Sequence, residues 1–484
     1  MKIRVLTLLL AIIMTLGAFV SCTGNGDSNE KEENSNNTED VTTTVGEETQ
    51  YLEDVTFPEQ KVNLLYWEGT ENDEFNIEKT TGNPINDAIY ARDLRVQDQL
   101  GIEIIWNGIP GKKGNLKEYK QHVENNIDEL QIIAAHSMVM GAVAADGLCR
   151  NLLDAKYFNW DQPWWPAALI DGATINDVMY FCSGDISNNT LLAMEGMFYN
   201  KNLTETDLYS YVDSKTWTID KMIQESENYY DDSTGTKQGD KDDGDTYGFA
   251  TYSGMINALF VGMGIRITDS SDGALKLSDT YVSEKTEDIL EKLNALFHTD
   301  NDWYYADNFA NSAIIFKENR SLFYMASVRL ALNTIADAND LKYGVLPAPM
   351  YDERQGSYYT LSANTYSLYG VAKTVDNDTL DMCSALLELM AYDSYKNVTP
   401  IVFEATLKSR YADNDNDARM FDILRATLIT EIGLIYSDDI NGGFPSKGLF
   451  TLVNNDISSW ISYMSGKLDA INGDIEKINS SFKK

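Results

Sequence analysis

The segment VMYFCSGDISNNTLLAMEGMFYNK, residues 178–201, is the most informative stretch of this sequence. It contains two short apolar runs, residues 178–182 and 191–199, which are separated by a polar patch of Gly, Asp, Ser and Asn. Apolar runs of this length that are bounded by turn residues favour buried strands over helices. The polar patch is therefore predicted to lie at strand ends.

The segments before this stretch alternate between strand and helix. Residues 62–67 are strand-like, apolar residues recur at helical spacing over 85–100, and residues 102–106 again favour a strand. Residues 115–130 then predict a helix, and residues 131–135 predict another buried strand. Such alternation favours a parallel, doubly wound α/β sheet, which binds its ligands at the carboxyl ends of the strands.

Length and composition restrict the class of protein. The 484 residues exceed one ordinary core and suit two lobes, and 43% hydrophobic residues are enough to fill both. With 38 basic and 75 acidic residues the formal net charge is −37, which disfavours nucleic acid and anionic lipid as partners. His122, His136 and His298 have no metal-ligand spacing, so we expect no zinc or haem cofactor.

The N-terminus predicts export. Two basic residues precede an apolar run over residues 5–20, which has the size of a signal-peptide core and is shorter than a usual membrane span. The Phe-Val-Ser-Cys sequence ending at Cys22 resembles a bacterial lipobox, with Phe where Leu is usual. This resemblance implies a signal peptide over 1–21 and a lipid anchor at Cys22, and the alternative is an uncleaved anchor. Residues 22–60 are predicted to be a flexible acidic tether.

Three cysteines remain after such processing: Cys149, Cys182 and Cys383. This odd and low number argues against a disulfide framework. Cys383 falls on the apolar face of a predicted helix over 381–392, so we interpret it as a core residue, and a nucleophile is the alternative.

Several short motifs follow one another in a characteristic order. They are Tyr-Asn-Lys at 199–201, Trp-Thr-Ile-Asp at 217–220, Tyr-Gly-Phe at 247–249, Phe-Lys-Glu-Asn-Arg-Ser-Leu-Phe-Tyr at 316–324 and Tyr-Gly-Val-Leu-Pro-Ala-Pro at 343–349. Together they resemble the bacterial extracellular solute-binding protein family 1, the maltose-binding-protein-like lipoproteins of sugar ABC transporters. The resemblance implies a two-lobed, type II periplasmic-binding-protein-like fold, in which each lobe is a doubly wound sheet with flanking helices.

The same resemblance implies an organisation and a set of partners. The first lobe would comprise residues 61–182 and 364–405, and the second residues 183–363 and 406–484. A carbohydrate would bind between the lobes and be delivered to an ABC permease, at the outer face of the bacterial cell membrane. We expect a monomer that needs no cofactor.

The predicted strand ends provide candidate ligand-binding residues. A carbohydrate site needs flat apolar faces for the C–H side of a pyranose ring and planar polar groups for its hydroxyls. The candidates are Tyr66, Trp67, Glu68, His136, Ser137, Glu195, Tyr199, Tyr252, Tyr324, Arg329, Asn364 and Tyr366. Trp67 and Tyr324 are favoured for stacking because each falls where the family contacts sugar. Each aromatic residue can equally be core, His136 can be structural, and Arg329 can pair with a surface carboxylate.

An acidic loop, DDSTGTKQGDKDDGD at residues 231–245, has two interpretations. It can be a solvated turn, or the alternative is a calcium site at Asp240, Asp242, Asp243 and Asp245. Its spacing does not match the usual calcium-loop pattern, and a bidentate Glu is missing.

The C-terminus carries one apolar stripe at helical spacing. Its members are Ile457, Ile461, Met464, Leu468, Ile471, Ile475, Ile478 and Phe482. We interpret the stripe as a terminal helix docked on the second lobe, and the alternative is a coiled coil that binds a partner.

Catalytic signatures are missing from the sequence: it contains no G-x-S-x-G elbow, P-loop, H-E-x-x-H motif or dinucleotide fingerprint. The main hypothesis is therefore a binding protein and not an enzyme. The alternatives are a solute-binding protein for a peptide or polyamine, a secreted glycoside hydrolase with paired carboxylates, and a purely structural surface lipoprotein.

Overall fold

The computed structural model describes residues 51–69, 73–111, 116–227, 229–231, 233, 244–298, 303–306, 308–335, 338, 340–403, 415–457 and 459–483. The strands are β1 Gln60–Glu68, β2 Ile102–Pro110, β3 Ile132–His136, β4 Glu195–Asn200, β5 Tyr247–Tyr252, β6 Thr268–Asp269, β7 Lys276–Leu277, β8 Trp303–Ala306, β9 Ser321–Ser327, β10 Tyr343–Leu346, β11 Thr360–Leu361, β12 Ser367–Val371 and β13 Leu428–Ile429. The helices are α1 Pro84–Leu100, α2 Leu116–Glu124, α3 Ser137–Ala145, α4 Ala167–Ala173, α5 Asn189–Leu192, α6 Leu208–Asp213, α7 Ile219–Ser226, α8 Ile256–Gly262, α9 Glu284–His298, α10 Phe309–Lys317, α11 Val328–Thr334, α12 Asn377–Asp393, α13 Asp415–Ala426, α14 Ile432–Ile435, α15 Phe444–Asn454, α16 Trp460–Ser465 and α17 Leu468–Ser481.

Helix α1 shows how local sequence sets the bounds of an element. The Asn83 side chain accepts hydrogen bonds from the N–H groups of Ile85 and Asn86, and Pro84 occupies the first helical position. Gly101 ends the helix with φ 68°, a left-handed conformation that glycine adopts without steric cost. The predicted helix is confirmed and begins one residue earlier than expected.

The sheet of the first lobe has the strand order β12-β3-β1-β2. Strands β2 and β3 both pair in parallel with β1, as the alternation of strands and helices predicts. Strand β12 is antiparallel to β3. This strand lies outside the alternating segments at 62–135, for which the predicted parallel order is confirmed, and it adds an antiparallel strand at the edge of the sheet.

The sheet of the second lobe has the order β10-β4-β9-β5-β8. Strands β9, β5 and β8 are parallel, whereas β4 is antiparallel to both of its neighbours. The register places Glu195, the first residue of β4, opposite Ser327, the last residue of β9. The start of β4 consequently lies at the edge where the parallel strands end.

Chain segments that cross between the two lobes pair with one another. Met194 forms an antiparallel bridge with Ser362, and β11 pairs in parallel with β13. The buried carboxylate of Glu431 then accepts hydrogen bonds from the backbone N–H groups of Ile267 and Thr268. These backbone and side-chain bonds hold the crossings together as one connection.

The stretch at 178–201 contains one of the two predicted strands. Residues 178–182 are buried, but Cys182 makes only an isolated bridge to Tyr369. The second apolar run starts as the short helix α5 before β4 begins. At the start of α5 the Ser187 hydroxyl and the backbone N–H of Asn189 donate hydrogen bonds to the buried carboxyl group of Glu74, so this N–H is satisfied without a neighbouring strand.

The C-terminal stripe forms two helices, α16 and α17, which are interrupted at Gly466. Ile471, Ile475 and Ile478 are buried, whereas Ile457 and Ile461 are each 40% exposed. Helix α17 contacts both lobes, because Asn479 bonds to Leu275 and the Tyr180 hydroxyl donates to the carbonyl oxygen of Ser481. Docking on the second lobe alone was thus too narrow an expectation.

Two further observations concern the helices and the cysteines. Among the residues that the structure describes, no helix is both long and apolar enough to cross a membrane. Cys149, Cys182 and Cys383 are buried free thiols, and Cys383 lies in the core as predicted. Burial raises the pKa of the Cys149 thiol to about 12, so this group stays protonated at neutral pH.

Candidate functional site

A cavity of about 490 Å³ lies where the second sheet meets the interlobe crossings. The carboxyl ends of the parallel strands β5 and β9 form one wall, which is the edge where open α/β sheets bind ligands. The segment after β11 and the first turns of α15 complete the cavity. The lining residues are Glu195, Tyr252, Ser253, Gly254, Met255, Asn257, Ser327, Arg329, Leu330, Leu361, Ala363, Asn364, Thr365, Leu434, Ser446, Lys447 and Phe450.

Four of the residues predicted from the sequence meet in this cavity: Glu195, Tyr252, Arg329 and Asn364. They come from the start of β4, the end of β5, the first turn of α11 and the second crossing. Sequence positions far apart are therefore brought together by strand ends that share one edge of the sheet.

Glu195 is the most unusual group in the wall. Only 3% of the residue is exposed, and its Oε2 atom has no hydrogen-bond partner among the described residues. Burial raises the pKa of this carboxyl group well above its usual range. Burial and the nearby Glu195 also raise the pKa of Tyr252. Tyr252 is accordingly neutral at pH 7, and burial favours the protonated form of Glu195.

Arg329 provides the positive group of the cavity. It lies in the first turn of α11, where the Ser327 side chain caps the helix by accepting a hydrogen bond from the N–H of Leu330. Its Nη1 atom is 3.6 Å from Oδ1 of Asp73, a residue that follows β1 of the first lobe. Its Nη2 atom has no hydrogen-bond partner within the described part of the chain. Arg329 thus reaches across the lobes and keeps one free donor.

The sequence interpretation missed several lining groups. Asn257 donates a hydrogen bond from Nδ2 to the carbonyl oxygen of Ser446, and its buried Oδ1 has no partner among the described residues. Ser253 and Asn257 follow the predicted strand end at Tyr252, and that position could have indicated them. Lys447 enters from the C-terminal region, and no local signal connects it to this site.

The two residues favoured for stacking are fully buried. Trp67 donates a hydrogen bond from Nε1 to the Ser367 hydroxyl, and its ring packs edge-on against His136. Tyr324 stacks on Phe316 within the second lobe. Other side chains cover both aromatic faces in this conformation, so their role in sugar stacking stays a prediction.

The remaining first-lobe candidates occupy positions around the sheet end. The Tyr66 hydroxyl lies 3.4 Å from Oε1 of the exposed Glu68. His136 caps α3 by accepting a hydrogen bond from the backbone N–H of Met138. Ser137 donates a hydrogen bond to the carbonyl oxygen of Asn364, and this bond connects the first lobe directly to the cavity wall.

Tyr199 and Tyr366 lie outside the cavity lining. Tyr199 packs on Tyr209 near the opposite end of β4 from Glu195, about 13 Å away at the usual rise of a strand. Tyr366 lines a second cavity of about 220 Å³, which also contains Asp185 and Arg425. Burial raises the pKa of Asp185 to about 6, although the Arg425 charge and the Thr399 hydroxyl oppose this effect.

The calcium and lipidation hypotheses fall largely outside the described residues. This is true of Asp240, Asp242, Asp243 and Cys22. Asp245 is buried and accepts hydrogen bonds from the Tyr230 hydroxyl and the N–H of Ser233. Within the described ranges no group of three or more His, Cys, Asp and Glu side chains is arranged to hold a metal ion.

Comparison with known proteins links this geometry to one fold. No protein-family model and no curated protein matches the sequence. A cyclo/maltodextrin-binding protein solved with maltotetraose matches with a TM-score of 0.55 and 12% identity, over 87% of this chain and 97% of its own. The galacto-N-biose/lacto-N-biose I-binding protein of an ABC transporter from Bifidobacterium longum was solved with lacto-N-biose. It matches with a TM-score of 0.55 and 9% identity, over 88% of this chain and 98% of its own.

A third structure extends the comparison. An ABC substrate-binding protein from Listeria monocytogenes in complex with cycloalternan has a TM-score of 0.50 and 12% identity, over 88% of this chain and 100% of its own. At such low identity the likeness concerns the fold. The chain has the two-lobed, type II periplasmic-binding-protein-like fold that the sequence predicts, and the structures similar to it are binding proteins.

Proposed function

We propose that this protein captures a carbohydrate in the cavity beside the interlobe crossings and delivers it to an ABC importer permease. The observation that carries this proposal is the meeting of Glu195, Tyr252, Arg329 and Asn364 at the carboxyl end of the second sheet. These residues provide one aromatic ring and three planar polar groups, which suit the C–H faces and the hydroxyls of a sugar. The sugars held by the structures of similar fold support the same class of ligand.

Lobe closure would couple capture to delivery. Arg329 of the second lobe lies 3.6 Å from Asp73 of the first, so a ligand that binds Arg329 in the cavity lies beside the first lobe as well. A ligand shifts the population towards the closed form only as far as it binds that form better. The permease would recognise the closed form, and no covalent bond of the ligand is broken.

The membrane anchor and the location belong to the same proposal. They rest on the lipobox-like sequence ending at Cys22, which implies a lipoprotein at the outer face of the cell membrane. Metabolic labelling with a fatty-acid analogue tests the anchor, because labelling should be lost when Cys22 is replaced by Ala. Labelling that survives this replacement would contradict it.

A thermal-shift screen tests the capture of carbohydrate. The full chain in mild detergent is heated with single mono- and oligosaccharides, peptides and polyamines. A ligand at 100 times its Kd adds about 2.7 kcal/mol to the free energy of unfolding, which raises the melting temperature measurably. Arg329→Met should abolish the shift, whereas Arg354→Met, at a side chain 89% exposed and outside the cavity, should preserve it. Shifts with peptides or polyamines alone would refute the carbohydrate assignment.

A further inference from the structure

Glu195 is an acid in the wall of the candidate cavity, and none of the described residues provides it with a positive partner. Its Oε2 atom is buried and bonds to no atom of the described residues. An unpartnered carboxyl group in such a place costs stability, so a ligand that supplies the missing donor recovers that cost. The wall therefore lacks a hydrogen-bond donor to Glu195, and the ligand should provide it.

The positive groups of the cavity are directed elsewhere. Arg329 approaches Asp73 of the first lobe, and Nζ of Lys447 donates a hydrogen bond to the carbonyl oxygen of Gly442. The other titratable group in the lining is the hydroxyl of Tyr252, which is uncharged. Among the described lining residues the group without a counter-charge is thus the acid Glu195, and the charge that complements it is a cation.

Two other buried atoms without hydrogen-bond partners among the described residues restrict the class of ligand further. Oδ1 of Asn257 is a second buried acceptor, and Nη2 of Arg329 is a donor, and neither has a partner among the described residues. A polyamine offers cations but no acceptor for Arg329. A neutral sugar offers hydroxyl donors to Oε2 of Glu195 but no charge that balances the ionised carboxylate. A sugar with a free amino group offers both.

We propose that the cavity binds a sugar that carries a free, protonated amino group, and that this ammonium pairs with the carboxylate of Glu195. The inference rests on the proposed carbohydrate capture and deepens it. The ammonium favours the ionised form of Glu195: a protonated carboxyl group releases its proton to the solvent, and the resulting carboxylate accepts a charge-assisted hydrogen bond from the ammonium. Arg329 donates to a ring hydroxyl oxygen of the same ligand.

Calorimetric titration of the full chain in detergent tests this inference. The probes are glucosamine, glucose and N-acetylglucosamine, their disaccharides, and spermidine, each measured at pH 6 in two buffers of different ionisation enthalpy. An amine of the α-amino type, with a pKa of about 7.7–8.0, is already protonated at pH 6, so the proton released to the buffer when the amino sugar binds should come from Glu195. The amino sugar should bind about tenfold to a hundredfold more tightly than its neutral counterpart.

A matched pair of variants identifies the residue. Glu195→Gln should remove both the proton release and the preference for the amine, while Glu291→Gln, on the exposed face of α9, should keep both. If glucose binds as tightly as glucosamine and no proton is released, the inference fails and carbohydrate capture stands. If no sugar binds, or spermidine alone binds, both fail. The buffer dependence of the wild-type protein decides the question even where Glu195→Gln does not fold.

Discussion

Replacing Asp185 by Asn should stabilise the protein at neutral pH and leave it almost unchanged in acid. Asp185 lies in the second cavity at the first crossing, and burial raises its pKa from 3.8 to about 6. At about 1.36 kcal/mol per pKa unit, this difference corresponds to roughly 3 kcal/mol when the carboxyl group is ionised. Because part of the residue is exposed, we expect about 2–3 kcal/mol.

The sign follows from proton linkage. The folded state holds the Asp185 proton more tightly than the unfolded state does, so the wild-type protein loses stability as the pH rises from about 4 through about 6. An Asn side chain imitates the neutral acid and can still accept a hydrogen bond from the Thr399 hydroxyl. The variant should therefore gain about 2–3 kcal/mol at pH 8 and about 0.5 kcal/mol at pH 4.

Urea denaturation at pH 4, 6 and 8 measures this dependence. Asp161→Asn provides the control, because Asp161 is exposed on the same lobe and should show no such change. A gain of equal size at each pH would mean that Asp185 acts through packing. A variant less stable than the wild-type protein at pH 8 would show that the attraction between Arg425 and the ionised Asp185 outweighs burial.

Other predictions concern the C-terminal helix, a buried carboxylate and the acidic loop. Ile475→Ala should lower the free energy of unfolding by about 2–4 kcal/mol, because Ile475 is buried. Ile461→Ala, at a residue 40% exposed, should change it by less than about 1 kcal/mol. Equal losses of the two variants in urea denaturation would contradict docking of α17. Glu388 accepts hydrogen bonds from the indole N–H groups of Trp164 and Trp165, so Glu388→Ala should cost about 3 kcal/mol and alter tryptophan fluorescence. Because both carboxylate oxygens of Asp245 accept protein hydrogen bonds, a calcium chelator should leave the melting temperature unchanged, and a lower value would support the calcium hypothesis.

The sequence predicts the sheet edge at which the site lies better than it predicts the side chains that line the cavity. Tyr252 follows the Tyr-Gly-Phe motif at a predicted strand end, and parallel strands must end at one edge, so residues from separate segments could be assigned to one wall. Periodicity does not show whether an aromatic residue at a strand end faces a cleft or the core, and Trp67 and Tyr324 are both core. Lys447 belongs to a helix whose position depends on long-range packing, so no local pattern could have placed it in the cavity.

Burial of an acid is likewise insufficient to identify a ligand site, and the partners of its oxygens are what distinguish one buried glutamate from another. Glu74 and Glu431 each accept several hydrogen bonds from backbone N–H groups or hydroxyls at the crossings, and these bonds fix the connection between the lobes. Glu195 is equally buried at the same junction, yet one of its oxygens has no partner within the described residues. Since buried polar groups are nearly always satisfied in folded proteins, the unpartnered oxygen of Glu195 supports a ligand in the candidate cavity, whereas the satisfied carboxylates of Glu74 and Glu431 stabilise the structure. The sequence does not distinguish Glu74, Glu195 and Glu431 from one another, and the difference between them arises from what the fold places around each carboxyl group.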